Sequence, residues 1–319
     1  MMEPNREGQV LAGKYRLKKV LARGGMGRVY LAEDLHLHKV WAVKEMEGEL
    51  MGSYEAVQNE AALLGNRSHP GLPVVVDLFA DGGFFYLVME FVEGQTLEEA
   101  VLRQGAFPEE SCADVLRQLI EILSYLHNQH PAVCYLDMKP ANVLLTPAGK
   151  VMLVDFGAAM ETEGAACRRG GFFGTYGYAP PEQCGELRSR RDRTAGEALR
   201  RDTVCDVRSD VYALGATVYF LLTGYDPARP PFGIRPWKEW EGAAGTDFIA
   251  LLQRCLEREP DRRFQSMEEL RTALADCRIG KQKMKERIRQ KLPWRRNFVL
   301  RQEKSVFLTE KRQSGLFGS

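Results

Sequence analysis

The chain lacks a long apolar run. Its longest apolar stretch covers residues 211–222, whereas a helix that crosses a bilayer needs roughly 20 apolar residues. Residues 1–19 also lack the apolar segment of a secretory signal. These absences predict a cytoplasmic location, with membrane association as the alternative if the native chain is longer or its C-terminal tail binds lipid.

Paired cysteines are missing as well. The seven cysteines are an odd number, and no two of them stand in a CxxC spacing. Structural zinc sites and the disulfide frameworks of small secreted domains depend on such patterns. We therefore expect reduced thiols.

Net charge is nearly absent from the whole chain but not from its parts. The 319 residues carry a net charge of +1, yet residues 281–319 hold twelve Lys and Arg against three Asp and Glu. Such a change marks a separate segment. We expect an N-terminal extension at 1–12, one folded domain at 13–280 and a basic tail at 281–319.

The first ninety residues predict a small β-rich lobe at about 13–92. Short stretches rich in β-branched and aromatic residues are separated by turn signals. A helical stretch interrupts them at 53–65. The predicted strands cover 15–23, 28–33, 40–46, 74–79 and 84–90.

The residues after Gly94 predict a larger helical lobe at about 93–280. Leu116, Ile120 and Leu123 recur at helical spacing. A β-rich lobe followed by a helical lobe is an α+β architecture. Helices are predicted at 109–129, 209–223, 246–258 and 266–277.

A glycine-rich hairpin joins the first two predicted strands. Gly24 and Gly27 would let the backbone approach a phosphate group with its amides free to donate, although such a hairpin alone is more often only a turn. Lys44, inside a later apolar strand, strengthens the phosphate interpretation because a buried ammonium needs an anionic partner. Glu60, in the helix predicted at 53–65, is the candidate partner within the protein. Taken alone, its position favours a solvent-exposed helix glutamate.

Two acidic residues and an amide stand at the ends of short apolar strands between residues 135 and 157. Asn142 and Asp155 can supply the oxygen ligands that magnesium requires. Phosphoryl transfer needs alignment, neutralisation of charge and a group that accepts the proton of the attacking hydroxyl. Asp137 suits the last role, and Lys139 can stabilise the transferring phosphoryl group.

The joint spacing of these motifs resembles that of protein kinases. Asp-Met-Lys-Pro-Ala-Asn at 137–142, Asp-Phe-Gly at 155–157 and Ala-Pro-Pro-Glu at 179–182 stand in the family's order. Over about 13–277 the chain resembles the bacterial eukaryotic-like (Hanks-type) serine/threonine kinases. The resemblance implies the two-lobed protein kinase fold, with ATP bound between the lobes and Mg²⁺, or alternatively Mn²⁺, as the metal.

The resemblance also implies the residues of the ATP site. Lys44 would hold the α- and β-phosphates and pair with Glu60, Met89 would be the gatekeeper, and the backbone of Glu90 and Val92 would read the adenine edge. The implied ATP-binding residues are Leu21, Gly24, Gly27, Val29, Ala42, Lys44, Glu60, Met89, Glu90, Val92 and Leu144.

For the reaction itself, the resemblance implies that Thr175 bridges Asp137 and Lys139 near the substrate hydroxyl. Lys139 and Gly174-Thr175 match the serine/threonine class rather than the tyrosine class. Asn142 and Asp155 would hold the metal. The implied structural residues are Phe156, Gly157, Glu182, Asp210 and Arg263, with Asp210 anchoring the catalytic loop and Glu182 paired with Arg263.

Three features depart from the family pattern. Ala22 replaces the first loop glycine, which predicts weaker closure of that loop. Tyr135 and Leu136 replace His-Arg before the catalytic aspartate; Tyr135 can still pack under Phe156. Residues 185–203 form a long insertion with six arginines, interpreted as a solvated loop or as a docking site for acidic partners.

The leucine at position 136 leads to a prediction about how activity is regulated. Many kinases order the activation loop through a phosphate bound by the arginine beside the catalytic aspartate, and leucine lacks that guanidinium. In the loop 158–173 the only hydroxyl-bearing residue is Thr162. We expect activity that does not depend on phosphate in this loop, with self-association or the insertion holding the active arrangement instead.

Together these features predict a kinase that phosphorylates serine or threonine in protein substrates. A nucleotide-binding pseudokinase scaffold is the alternative. A small-molecule kinase is disfavoured by the complete segment 174–182, which shapes a peptide-binding ledge. The basic stretch 281–296 is either a solvated linker or a contact with anionic membrane, and nucleic acid is disfavoured because aromatic residues are sparse there.

Overall fold

The computed structural model describes residues 6–24, 27–47, 53–162, 164, 166–170, 174–184, 202–230 and 232–280. The predictions for the basic tail and for residues 185–201 of the insertion lie outside these ranges. Within them, no helix is both long and apolar enough to cross a bilayer. All seven cysteines are free thiols.

The N-terminal lobe is built on six antiparallel strands. These are β1 (Val10–Leu11), β2 (Tyr15–Gly24), β3 (Gly27–Asp34), β4 (Val40–Glu47), β5 (Val75–Asp81) and β6 (Phe84–Glu90). Their order in the sheet is β1-β2-β3-β4-β6-β5. Helix α1 (Ser53–Gly65) contacts β4, β5 and β6. The five predicted strands and this helix are therefore all present.

The sheet begins earlier than the predicted domain boundary at residue 13. Val10 and Leu11 pair with Arg16 and Tyr15, although both belong to the predicted N-terminal extension. The Leu11 side chain is fully buried in the apolar cluster of the sheet. A strand of two residues is too short to show a periodic pattern of its own. Its stability comes from pairing with the strand beside it.

The C-terminal lobe is mainly helical and contains the larger core. Its helices are α2 (Leu97–Gln104), α3 (Glu109–His127), α4 (Val207–Thr223), α5 (Thr246–Cys255) and α6 (Met267–Asp276). Helix α4 is buried on nearly all sides. One continuous apolar cluster joins these helices to Leu63 and Leu64 of α1 and to Phe156, so the core reaches across the boundary between the lobes.

Small sheets position the loops that carry polar residues. Their strands are β7 (Gln95–Thr96), β8 (Val133–Cys134), β9 (Val143–Leu145), β10 (Val151–Leu153), β11 (Met160–Glu161), β12 (Cys167–Gly170) and β13 (Asp202–Cys205). Strand β9 pairs with β7 and β10, β8 pairs with β11, and β12 pairs with β13. Asp202 and Thr203, which the sequence assigned to the insertion loop, are therefore strand residues.

Candidate active site

Lys44 lies on a central strand and faces two carboxylates. Its neighbours across the sheet are Val29 on β3 and Leu87 on β6. The Lys44 Nζ atom donates to both Glu60 oxygens, at 2.9 and 2.8 Å, and to Asp155 Oδ1 at 2.7 Å. We name Lys44, Glu60 and Asp155 the lysine junction. It joins β4, α1 and the Asp-Phe-Gly segment.

The charges of Lys44 and Asp155 stabilise each other, whereas burial outweighs the Lys44 charge at Glu60 and raises the pKa of that carboxyl. Burial would lower the pKa of Lys44, but Glu60 and Asp155 raise it above its ordinary value. Burial would likewise raise the pKa of Asp155, but Lys44 outweighs it and lowers that pKa. Both side chains are therefore ionised at neutral pH, because an opposite charge within a few ångströms favours the charged form.

The Asp-Phe-Gly segment is fixed from both lobes. The Phe156 amide donates to Glu60 Oε1 at 3.1 Å, and the Phe156 ring packs edge-on against Tyr135 with centroids 5.0 Å apart. The Tyr135 hydroxyl donates to the Val154 carbonyl at 2.5 Å. The Gly157 amide completes the turn, donating to Asp155 Oδ1 at 3.4 Å. Tyr135 thus lies against Phe156 as the sequence suggested, and it also bonds the segment directly.

Asp137, Lys139 and Thr175 meet in one hydrogen-bonded group. The Lys139 Nζ atom donates to Asp137 Oδ2 and to Thr175 Oγ1, both at 2.8 Å. The Thr175 hydroxyl donates to Asp137 Oδ1, also at 2.8 Å. Thr175 follows Gly174, whose φ of +93° favours glycine. The structure thus brings together the three residues that the resemblance implied for catalysis.

The donor set at Asn142 and Asp155 fits a divalent metal. The Asn142 amide nitrogen donates to the backbone and side-chain oxygens of Asp137, both at 3.0 Å, which leaves its carbonyl oxygen for a ligand. Lys44 engages only Asp155 Oδ1, so Oδ2 is the second candidate. Oxygen ligands of this kind suit magnesium, which commonly takes one or two protein ligands and completes its shell with phosphates and water.

Three of the residues implied for the adenine site pack together on the sheet. Ala42 pairs with Met89 across β4 and β6, and both belong to one apolar cluster against which Val29 packs. Val92 is half-buried, whereas Leu21 is 37% exposed. Leu144, on β9, lies opposite Met152 and Thr96 instead.

The backbone between the lobes is partly engaged at Glu90. Its amide donates to the Val74 carbonyl at 2.8 Å, and its side chain is exposed. An adenine edge would therefore be read at Glu90 through the carbonyl oxygen.

The glycines of the first hairpin have a structural reason of their own. Gly24 and Gly27 pair with each other at the end of the β2–β3 ladder. Gly27 has φ +126°, and a Cβ atom there would collide with the carbonyl oxygen of Glu45 on β4. Ala22 pairs with Val29 in the same ladder.

Asp210 anchors the backbone that carries the catalytic loop. Its carboxylate accepts from the Tyr135 amide at 2.8 Å and from the Leu136 amide at 2.7 Å. It also bonds His127 Nε2 at 2.8 Å. Sequence reasoning missed His127, whose only signal was its place in the last turn of the helix before the loop.

Glu182 and Arg263 form a buried ion pair. The Glu182 oxygens accept from Arg263 Nη1 at 2.7 Å and Nη2 at 2.8 Å. Arg263 is fully buried, and its other donors reach the carbonyls of Arg208, Arg258 and Glu257. All five guanidinium donors therefore have partners, which is the condition under which a buried arginine is tolerated.

Two further residues near this pair were missed by sequence reasoning. The Ser209 hydroxyl donates to Glu182 at 2.9 Å. Gln183 is fully buried and donates through Nε2 to the Leu136 carbonyl at 2.7 Å. Gln183 directly follows the Ala-Pro-Pro-Glu motif, so its position beside a known motif was the only available signal.

A β-rich lobe that carries a lysine–glutamate pair and a helical lobe that carries an Asp/Lys/Thr group define the protein kinase class. The family model for the protein kinase domain matches residues 15–274. The chain therefore belongs to the protein kinase domain family, and the two-lobed fold expected from the motifs is confirmed.

Named relatives place the chain near bacterial enzymes. Serine/threonine-protein kinase PknB of Mycobacterium leprae is 29% identical over 295 residues, which cover 85% of this chain and 44% of the relative. PknA of Nostoc sp. is 31% identical over 289 residues, covering 83% and 48%. PrkC of Bacillus subtilis is 28% identical over 224 residues, covering 69% and 32%. The resemblance to bacterial serine/threonine kinases is thus confirmed, and the chain spans less than half the length of these relatives.

Proposed function

We propose that this chain is an ATP-dependent protein kinase that transfers the γ-phosphoryl group of Mg-ATP to serine and threonine hydroxyls of proteins. The observation that carries the proposal is the assembled group of Asp137, Lys139 and Thr175 beside a formed lysine junction. Both halves of the machinery are present together: one for the phosphates and one for the acceptor hydroxyl.

The residues divide the work of transfer. The Asp137 carboxylate accepts the proton of the attacking hydroxyl. Lys139 offers a positive charge within reach of the same carboxylate, where it can stabilise negative charge on the transferring group. Thr175, bonded to both, sets the distance between them and borders the place where a substrate hydroxyl would lie.

The oxygen atoms of Asn142 and Asp155 described above indicate where a metal ion would bind. Asn142 and Asp155 would hold Mg²⁺, with Mn²⁺ as an alternative of the same ligand preference. The bound metal would neutralise charge on the phosphates of ATP. Lys44, held by Glu60, would bind the α- and β-phosphates.

Serine or threonine as acceptor follows from Lys139 and Thr175. The relatives named above are serine/threonine kinases, and in this chain the lysine and threonine are 2.8 Å apart. Protein substrates are expected because residues 174–182, which in this family shape a peptide-binding ledge, reach this group through Thr175. Self-association, and membrane contact through residues 281–296, stay predictions.

The test is a transfer assay with γ-labelled ATP and a generic protein acceptor in Mg²⁺ and in Mn²⁺, followed by phosphoamino acid analysis. We expect label on serine and threonine. Tight nucleotide binding without transfer would favour the pseudokinase scaffold, and label on tyrosine would contradict the assignment of class.

A further inference from the structure

The side chain beside the catalytic aspartate is buried among thiols. Leu136, which is 2% exposed, forms one apolar cluster with Cys134, Cys167 and Cys205. Met160 and Val207 pack against it. We name Leu136 and the three cysteines the Leu136 cluster. It stands where an arginine would otherwise extend to bind a phosphate of the activation loop.

The cluster ties three separate segments to one another. Cys134 is on β8, which pairs with the first strand of the activation loop, β11. Leu136 is in the catalytic loop, and Cys167 is on the second activation-loop strand, β12. Cys205 is on β13, one residue before Asp206, the N-cap of α4. The same helix carries Asp210, so the cluster links the loop to the anchor of the catalytic backbone.

A ladder reinforces this link. Strand β12 of the activation loop pairs antiparallel with β13 along its whole length, and Cys167 lies directly opposite Cys205. Side chains alternate along a strand, so Cys205 faces the cluster while its neighbour Val204 is 38% exposed. The chain after the insertion thus returns to hold the activation loop.

The cluster offers nothing to an anionic group. The hydrogen bond with Cys167 and burial both raise the pKa of Cys134, and burial raises the pKa of Cys205 to about 12. Neutral buried thiols behave as small apolar side chains, and an unpaired charge placed among them would be costly.

The backbone of Leu136 is held as firmly as its side chain. It has φ +64°, a conformation that leucine rarely adopts. Its amide donates to Asp210 and its carbonyl accepts from Gln183. A strained residue persists only where its surroundings fix it, and here the fixed residue directly precedes Asp137.

We propose that the Leu136 cluster, with the β12–β13 ladder, holds the activation loop in its active arrangement and takes the place of a phosphate bridge. Leu136, Cys167 and Cys205 are then positioning residues for phosphoryl transfer. The proposal deepens the proposed function, on which it rests. Because Thr175 follows the ladder closely along the chain and bonds Asp137, loosening the ladder would misplace the acceptor side of the site and leave the ATP side intact.

The test compares two aspartate variants of neighbouring residues on β13. In Cys205→Asp, which introduces a charge into the cluster, we expect the kcat for protein phosphorylation to fall at least about tenfold, since one misplaced charge-stabilising group has effects of this order or larger. Affinity for an ATP analogue should stay within about twofold, as no cluster residue belongs to the ATP site. The matched control Val204→Asp should keep both values near wild type.

A second pair of variants covers the case in which Cys205→Asp fails to fold. Methionine and glutamine have similar volumes, so Leu136→Met and Leu136→Gln differ mainly in polarity. We expect the methionine variant to keep most of the rate and the glutamine variant to lose at least about threefold, because a polar amide buried among the apolar side chains of the cluster is unfavourable. Equal rates for the two would overturn the proposal. So would a tenfold loss of rate when wild-type enzyme is treated with a phosphatase.

Amide hydrogen exchange separates this proposal from the proposed function. In phosphatase-treated wild-type protein, the amides of 167–170 and 202–205 should be protected, and in Cys205→Asp they should exchange at least about tenfold faster, as expected when a local unit opens. Protection without any phosphoryl transfer would reject the kinase assignment but keep the structural role of the cluster. Transfer with unprotected amides would reject the cluster alone.

Discussion

The lysine junction is built from charges, whereas the Leu136 cluster is built from apolar side chains and neutral thiols. Lys44 contacts Glu60 and Asp155 at 2.7–2.9 Å, and the Asp155 side chain is 33% accessible. The cluster residues are 0–2% exposed. One region must admit a charged ligand and its metal, so one of its carboxylates, Asp155, is accessible. The other only has to keep three chain segments together.

The difference shows how one catalytic loop can be supported by two kinds of chemistry. Charges in the lysine junction have partners now and would gain new ones when phosphates bind. The cluster gains nothing from an ion, and its stability comes from excluding water. A site that responds to a ligand and a support that is constant can thus lie close along the same chain.

Arg263 is an exception to this contrast between accessible charges and buried apolar groups, because it is a charged residue that is fully buried in the C-terminal lobe. Breaking its pair with Glu182 should cost about 3–5 kcal/mol, since Arg263→Ala leaves a carboxylate uncompensated. Denaturant unfolding measures the loss. The control is Arg117→Ala, whose pair with Asp114 is exposed and should be worth about 1 kcal/mol or less. Similar losses in both variants would contradict the account of this pair.

Within the lysine junction, substitution of Asp155 should cause the largest loss of activity. Asp155→Ala removes a metal ligand and a partner of Lys44, so we expect phosphoryl transfer to fall at least ~100-fold, the order seen when one charge-stabilising group is deleted. The melting temperature should confirm that the variant is folded. Undiminished turnover in a folded sample would remove Asp155 from the mechanism.

A smaller loss of phosphoryl-transfer rate is expected when Glu60, the other carboxylate of the lysine junction, is substituted. Glu60→Gln keeps the shape but removes the charge that Lys44 contacts. A hydrogen bond to a charged group is worth about 1.5–3 kcal/mol, or roughly tenfold or more in rate. The matched control is Glu121→Gln on the surface of α3, where the side chain is 54% exposed. Equal rates in the two variants would mean that Glu60 is no more than a helix glutamate.

The smallest effect concerns pH. The pKa of Asp155 is lowered in the folded protein, so its contribution to stability is present above its ordinary pKa and is lost only as pH falls through the lowered one. The difference in unfolding free energy between wild type and Asp155→Asn should therefore be constant from pH 6 to 9 and change only below about pH 4. Thermal unfolding across this range measures it, and a change near pH 7 would contradict the sign of the shift.

Local pattern predicted much of this molecule. In the N-terminal lobe, the strands either alternate apolar and polar residues or are continuously apolar, so each could be predicted from its own residues. Helix α1 spans 53–65 as expected for the same reason. The roles of Asp137 and Lys139 could be predicted from the residues, whereas the role of Thr175 was implied only by the family resemblance. Helix α2 was missed although its capping box, Thr96 with Glu99, is readable in the sequence.

The long-range pairings could not be predicted in this way. Cys167 and Cys205 are separated by the insertion, and nothing local indicates that they lie opposite each other. Leu136 predicted that the activation loop does not depend on a bound phosphate, but not what would replace it. Strand pairing over such a separation depends on the folded lobe around it, which is why the Leu136 cluster emerges only from the structure.

The most direct test of the account is the initial rate of transfer from γ-labelled Mg-ATP for wild type and Asp137→Asn. Asparagine keeps the size of the side chain and can still bond Lys139, but it cannot take the proton of the acceptor hydroxyl. The account predicts a loss of at least ~100-fold, within the range that general-base catalysis contributes, with nucleotide affinity unchanged. A rate within twofold of wild type would contradict it.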